Sequence, residues 1–373
     1  MTAAFRRGAC PSLAAPMRTG DGWLARLSFT DGLTGAQLAG IAAVAARLGN
    51  GLIEVTARGS LQIRGLAERA RLAEALAPLG LPLAEGLAVV TSPLAGRDPA
   101  ERADPRPLAA ALRRFAAPLP AKVTALVDGG GAFALDAVPA DVRLLRDADG
   151  WRVGVGGTAT TARWLEVADA DAAVARAGLL LRWMSRENRR GRDLDGLSPG
   201  AAPAPRPAPD PVARFPLREG VARGVSFAFG VAESGAVAAL AGAAGGARLC
   251  PAPGRALVAV GLRPEAEAGF VAAAGRLGFV TAAGDPRLAI AACAGAPACG
   301  SGRIATRAIA ARIAAEGVAR GVRLHLSGCP KRCAQPVGPA VTLVAEAGGA
   351  RVTGDGRAVP AGLERILLEA AAW

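Results

Sequence analysis

Tyrosine is absent, histidine occurs once and lysine twice in this chain of 373 residues, whose 42 arginines supply nearly all its positive charge. Aromatic residues make up only 4%, too few for the interleaving of arginine and aromatic rings that stacks single-stranded nucleic acid. The lone His325 rules out a two-histidine, one-carboxylate iron triad, so a mononuclear non-haem iron here would need carboxylate or substrate ligands. No apolar run reads as a membrane span: charge-free stretches such as Leu288 to Gly302 are short, carry proline and consist largely of Ala and Gly. The opening MTAAFRRGACPSLAAPMR lacks the apolar centre of a signal peptide, which makes the cytoplasm the expected location. No G-x-G-x-x-G fingerprint joins a strand to a helix, so reducing equivalents are expected from a separate NAD(P)H-dependent donor.

What is present is a large core. Hydrophobic residues reach 51% against 20% charged, which excludes a disordered chain, and the length suits two to three domains. The 49 glycines and 27 prolines argue against a simple helical bundle. A formal charge of +13 suits nucleic acid, an anionic membrane surface or an acidic small molecule.

The Pro/Ala-rich stretch 194–213 favours extended polyproline conformers and reads as a linker. The halves it separates repeat one another. WLARLSF (Trp23 to Phe29) leads into a helix from about Thr34 to Leu48, with Thr34 and Gln37 at capping-box spacing and Gly49 as a stop. LIEVTARGSLQIRGL (Leu52 to Leu66) then reads as a strand. In the second half VARGVSFAF, a helix from near Ser234, a strand segment ending LVAVGL and a helix from Pro264 follow in the same order. Two ferredoxin-like half-domains packed as a pseudo-dimer are expected, at 1–82 and 214–285, each followed by a mixed α/β domain, at 83–193 and 286–373.

Six cysteines without a secretory signal are expected to be reduced and available for metal or catalysis. Four fall late in the chain, as Cys293-x5-Cys299 and Cys329-x3-Cys333. Neither pair has the C-x2-C spacing of a zinc knuckle, and the wider loops suit a larger cubane cluster. Gly295, Gly300, Gly302 and Gly328 permit close backbone approach, and Ser301 is placed to cap a helix through Ile304 to Glu316. Cys10 and Cys250 read as small buried thiols.

The paired cysteine loops after a duplicated ferredoxin-like unit resemble the sulfite and nitrite reductase superfamily. That resemblance implies an α+β, duplicated sulfite/nitrite reductase-like architecture, its half-domains and α/β domains related by a pseudo-twofold axis. It implies a 4Fe-4S cluster with Cys293, Cys299, Cys329 and Cys333 as ligands. Within the superfamily, the segments Arg6 to Phe29, VTARGSLQIRGL (Val55 to Leu66) and LHLSGCPKRCAQP (Leu324 to Pro336) most resemble the precorrin-3B synthase family of aerobic cobalamin synthesis. Such a monooxygenase hydroxylates precorrin-3A with dioxygen and closes a lactone, so its tetrapyrrole is substrate. Two other readings are a siroheme-dependent sulfite or nitrite reductase, with siroheme as cofactor, and a zinc-stabilised nucleic-acid binder.

Of the reductases' basic positions, T-x-R-x-x-x-Q is matched by Thr56, Arg58 and Gln62. The arginine before V-x-x-T-S is replaced by Gly86, and LP-x-K-x-K is reduced to Leu119-Pro120-Ala121-Lys122 with Thr124. Fewer cationic clamps suit a macrocycle that must leave. Arg58, Gln62 and Arg64 are expected on one face of a strand, turned with Lys122 toward the carboxylate arms of the substrate. His325 and Lys331 are the candidate catalytic side chains. Glycine is usual just before the last cysteine in the family; Arg332 stands there and is strained if that position requires positive φ.

Overall fold

The computed structural model describes residues 11–197, 200–319, 321–336, 338–354 and 359–371. Its first unit comprises β1 (Met17–Thr19), β2 (Gly22–Leu27), α1 (Gly35–Leu48), β3 (Leu52–Val55), β4 (Leu61–Leu66) and α2 (Ala70–Leu76). Helix α1 starts where the sequence places it. The Thr34 hydroxyl accepts from the Gln37 amide at 3.1 Å, and Gln37 Oε1 accepts from the Thr34 amide at 2.9 Å, satisfying two donors that a helix start leaves open.

A mixed unit follows: β5 (Ala88–Val90), α3 (Arg106–Arg113), β6 (Thr124–Asp128), β7 (Val142–Arg146), β8 (Trp151–Val155), β9 (Arg163–Trp164) and α4 (Ala170–Glu187). The second half has β10 (Arg214–Pro216), β11 (Val221–Ser226), β12 (Val231–Glu233), α5 (Ser234–Ala243), β13 (Arg248–Ala252), β14 (Ala256–Leu262) and α6 (Pro264–Arg276). It ends in β15 (Ile290–Ala292), α7 (Thr306–Glu316), β16 (Leu324–Ser327), β17 (Val341–Glu346), β18 (Gly349–Thr353) and α8 (Ala361–Ala371).

The sheets display the duplication. Orders β1-β2-β4-β3 and β10-β11-β14-β13 are equivalent antiparallel arrangements, and β12 crosses over to pair with β3 of the first. In the mixed sheets, β5, β6 and β7 run parallel with β8 antiparallel, as do β15, β16 and β17 with β18. This is an α+β fold used twice.

One hydrophobic core joins the two half-domains, running from Leu38, Ile41 and Ala45 of α1 to Val237, Leu240 and Ala241 of α5. The opposite faces of the two half-domain sheets differ in kind. On β14, Val258 and Val260 pack with Leu126, Phe133 and Leu135 of the first mixed unit; at the equivalent places of β4 stand Gln62 and Arg64.

Two expectations change. Leu52 to Leu66 is a hairpin, not one strand: Thr56 and Ser60 close a turn through a 2.9 Å backbone hydrogen bond, with Gly59 at φ +77°. A Cβ on Gly59 would lie 2.8 Å from the Ala252 carbonyl carbon, so the turn presses directly on the matching hairpin of the other half. Arg58 therefore sits in the turn, bridged to Pro253, while Gln62 and Arg64 share β4.

The Pro/Ala stretch is extended but pinned. The guanidinium of Arg206 meets Asp128 and Asp136, each at 2.5 Å, and both carboxylates are nearly fully buried. No helix among the described residues is long and apolar enough to cross a membrane. Removing Arg206 would leave two buried carboxylates uncompensated, so Arg206→Ala is expected to cost about 3 kcal/mol in denaturant unfolding; a change within about 0.5 kcal/mol would show that the pin contributes nothing.

Candidate functional site

Where the hairpins, the first mixed unit and the last sheet meet, they leave a cavity of 2310 Å3, well beyond the roughly 300–1,000 Å3 of an ordinary small-molecule pocket. Eleven arginines and lysines line it against three carboxylates, and both lysines of the chain, Lys122 and Lys331, are among them. Five phenylalanines, at positions 29, 115, 133, 227 and 229, form part of its wall. Such a space suits a large, partly apolar ligand bearing several negative charges.

All four late cysteines line the same cavity. Cys293 opens the loop leaving β15, and Cys329 and Cys333 sit in the loop leaving β16; because these strands are parallel neighbours, both loops emerge at the same end of the sheet. The loops brace each other: the Gly328 amide donates to Cys293 Sγ at 3.2 Å, the Arg303 amide to the Gly328 carbonyl at 2.8 Å, and Lys331 Nζ to Ser301 Oγ at 3.2 Å. A third wall comes from the β1–β2 turn. A Cβ on Gly20 would lie 2.6 Å from the Ser301 nitrogen and 3.1 Å from Cys299 Sγ, so only glycine admits this contact.

These residues fit an iron-sulfur cluster. Among the described residues no three thiol, imidazole or carboxylate groups converge tightly enough to hold a single metal ion. Four thiols carried by two loops that brace each other supply the donor set of a cubane, which takes four thiolates. The amide on Cys293 Sγ is the kind of donor that stabilises bound sulfur. Loss of water around the Cys333 sulfur, together with the nearby Cys293 and Cys329, raises its thiol above the ordinary range, and Arg64 opposes the rise. The same geometry offers no three-ligand site for a mononuclear iron among the described residues.

The helix expected through Ile304 to Glu316 with Ser301 as its cap begins at Thr306, without a side-chain cap. Ser301 serves Lys331 instead, and the Thr306 hydroxyl donates to the Cys293 carbonyl at 2.8 Å. Arg332 has φ +50°, the left-handed conformation that glycine adopts without cost. Lys122 likewise has φ +70°, a strained backbone at the cavity wall. Cys250 is buried, and that burial pushes its thiol up to about 12. Cys10 lies outside the described residues.

The substrate-binding candidates Arg58, Gln62, Arg64 and Lys122 all line the cavity. Gln62 sits between strands, accepting from Arg26 at 3.1 Å and donating to Glu54 at 3.2 Å, in the cross-strand row Arg26, Gln62, Glu54. Arg64 is gripped by Asp21 through two hydrogen bonds of 3.0 and 2.9 Å and lies 3.5 Å from Glu54. Six lining arginines, Arg18, Arg26, Arg97, Arg255, Arg287 and Arg323, were not among the sequence candidates. Arg26 carries a weak signal, alternating on β2 beside the matched T-x-R-x-x-x-Q strand. Arg255, at φ +61° in the β13–β14 turn, and Arg323 carry none. Arg255 donates to the Ile290 and Ala334 carbonyls at 3.3 and 3.4 Å, tying the second half-domain to the cysteine-bearing unit.

His325 does not line the cavity. It is fully buried on β16 between Ala291 and Thr342, and neither ring nitrogen has a hydrogen-bond partner. Burial, then the charges of Arg255 and Arg332, lower its pKa to about 4, so it is neutral at pH 7.

The duplicated α+β architecture is the sulfite and nitrite reductase fold, and the family described as "Nitrite/Sulfite reductase ferredoxin-like half domain" matches residues 15–78. The structure of the Mycobacterium tuberculosis NirA protein shares the fold, with a TM-score of 0.69 at 17% identity, over 88% of this chain and 73% of that one. A curated precorrin-3B synthase of Sinorhizobium sp is 38% identical over 93% of this chain and 82% of its own length. The chain belongs to the precorrin-3B synthase family.

Two outcomes are expected. The imidazole signal of the only histidine should not titrate between pH 8 and 5 in NMR spectra, and a midpoint near 6.5 would contradict its buried, unpartnered placement. The depressed pKa favours folding fully above pH 6.5, and that contribution falls as pH drops toward 4. Arg332→Gly should raise stability by about 0.5–1 kcal/mol in thermal unfolding, since it relieves a left-handed arginine; a lower Tm would show that the arginine is held there by its contacts.

Proposed function

We propose that this protein carries out the precorrin-3B synthase reaction, hydroxylating precorrin-3A with dioxygen and closing a lactone for cobalamin synthesis. The observation that carries the reading is the cavity itself: large, walled in part by phenylalanine, strongly cationic, and entered from one side by four cysteines. Family membership at 38% identity over most of both chains supports the same substrate class.

In this reading Cys293, Cys299, Cys329 and Cys333 hold a 4Fe-4S cluster. That group supplies single electrons, received from an external NAD(P)H-dependent donor. The protein's own task is to bind and orient the macrocycle. Arg58 and Lys122 face its carboxylate arms from two walls, and Arg guanidinium is suited to bidentate contact with them. Gln62, fixed by Arg26 and Glu54, presents a positioned amide. The phenylalanines exclude water from the ring faces. Lys331 stands at the edge of the cysteine loops, where it bonds Ser301. A buried, neutral His325 suits support of the β16 strand better than proton transfer.

Protein reconstituted anaerobically with iron and sulfide, then given precorrin-3A, dioxygen and a reductant, should yield the hydroxylated lactone; its absence overturns the proposal. A tightly bound siroheme with an intense Soret band in the purified protein would favour the reductase reading instead. Cys299→Ser is expected to lose most iron and sulfide while Cys250→Ser keeps them, and equal loss from both would refute the ligand set.

A further inference from the structure

Arg64 is the one candidate substrate clamp that carboxylates already hold on two sides. Asp21 takes its Nε and one terminal nitrogen, Glu54 stands at the other, and Glu54 is also bonded by Arg307 from α7. All four groups are largely buried, with side-chain exposures from 9% to 19%. A guanidinium so anchored cannot swing to meet a substrate that comes and goes.

Its position is nonetheless specific. Asp21 follows Gly20, the residue packed against Cys299 Sγ and the Ser301 amide, and Arg64 lines the cavity together with all four cysteines. The electrostatics agree: burial weakens the Arg64 charge, but Glu54, Asp21 and Cys299 outweigh it and keep the guanidinium firmly protonated.

We propose that Arg64, fixed by Asp21 and Glu54, is a positioning residue whose charge raises the one-electron reduction potential of the cluster held by the four cysteines. The inference rests on the cluster assignment above. A buried cation stabilises the added electron, and the carboxylates that hold it set how much of its charge the cluster feels. The first half-domain thereby tunes an electron-transfer group that the last sheet carries.

The test is an EPR-monitored redox titration of cluster-loaded protein. Arg64→Gln should lower the midpoint, with roughly a tenfold fall in the reduced-to-oxidised ratio at fixed potential, or about 59 mV for one electron. Asp21→Asn should move it the opposite way, because it removes a negative charge from the same pair. Midpoints equal to wild type in both loaded variants, or shifts of the same sign, overturn the inference. A purely structural pair would lower iron and sulfide content in both variants without opposed shifts, and that outcome also overturns it. If Arg64→Gln holds no cluster, the sign of the Asp21→Asn shift decides. Wild-type protein without iron and sulfide would instead overturn the cluster assignment itself.

Discussion

The close packing of α1 on α5 is the contact on which the rest depends. Their buried faces mix Ala with Leu, Ile and Val, and at Gly35 of α1 a Cβ would lie 2.8 Å from the Ala241 carbonyl oxygen of α5, so the helices approach closely and two half-domains share one core. That core sets the two hairpin turns against each other, with Gly59 touching Ala252, and holds open the space beyond them. Both halves contribute walls to that cavity.

Charge is concentrated where this packing leaves room. Eleven cations at one cavity would repel each other if they were unpaired, yet several are restrained. Arg26 is engaged by Gln62, Arg64 by Asp21 and Glu54, Arg255 by main-chain carbonyls, and Lys331 by Ser301. Ordering the cations in advance reduces the side-chain entropy that binding an anionic ligand would otherwise cost.

The fold was legible because its signals are local or repeated. The Thr34–Gln37 capping box and the recurring strand–helix order need no knowledge of distant residues. The cysteine spacing was legible for the same reason, each pair belonging to one loop. Three features were not. Arg58 left the strand because a short turn with Gly59 at positive φ interrupts a sequence that alternates as if continuous. Arg64 looked like a free cation because its partner Asp21 lies 43 residues away and the Glu54–Arg307 link spans 253. The proline-rich stretch looked unanchored because Arg206 meets Asp128 and Asp136 across 78 and 70 residues. Pairings at such separations are fixed by the packed core, and no local pattern encodes them.

The duplicated half-domain sheets have the same strand order, but one copy offers Gln62 and Arg64 where the other offers Val258 and Val260. A homodimer must carry the same face on each copy, so a surface tuned for adhesion and a surface tuned for charge would compete for the same codons. Fusion into one chain removes that conflict. The valine face can specialise as glue against the first mixed unit while its twin accumulates ionisable groups, and each can drift in sequence without spoiling the other's task.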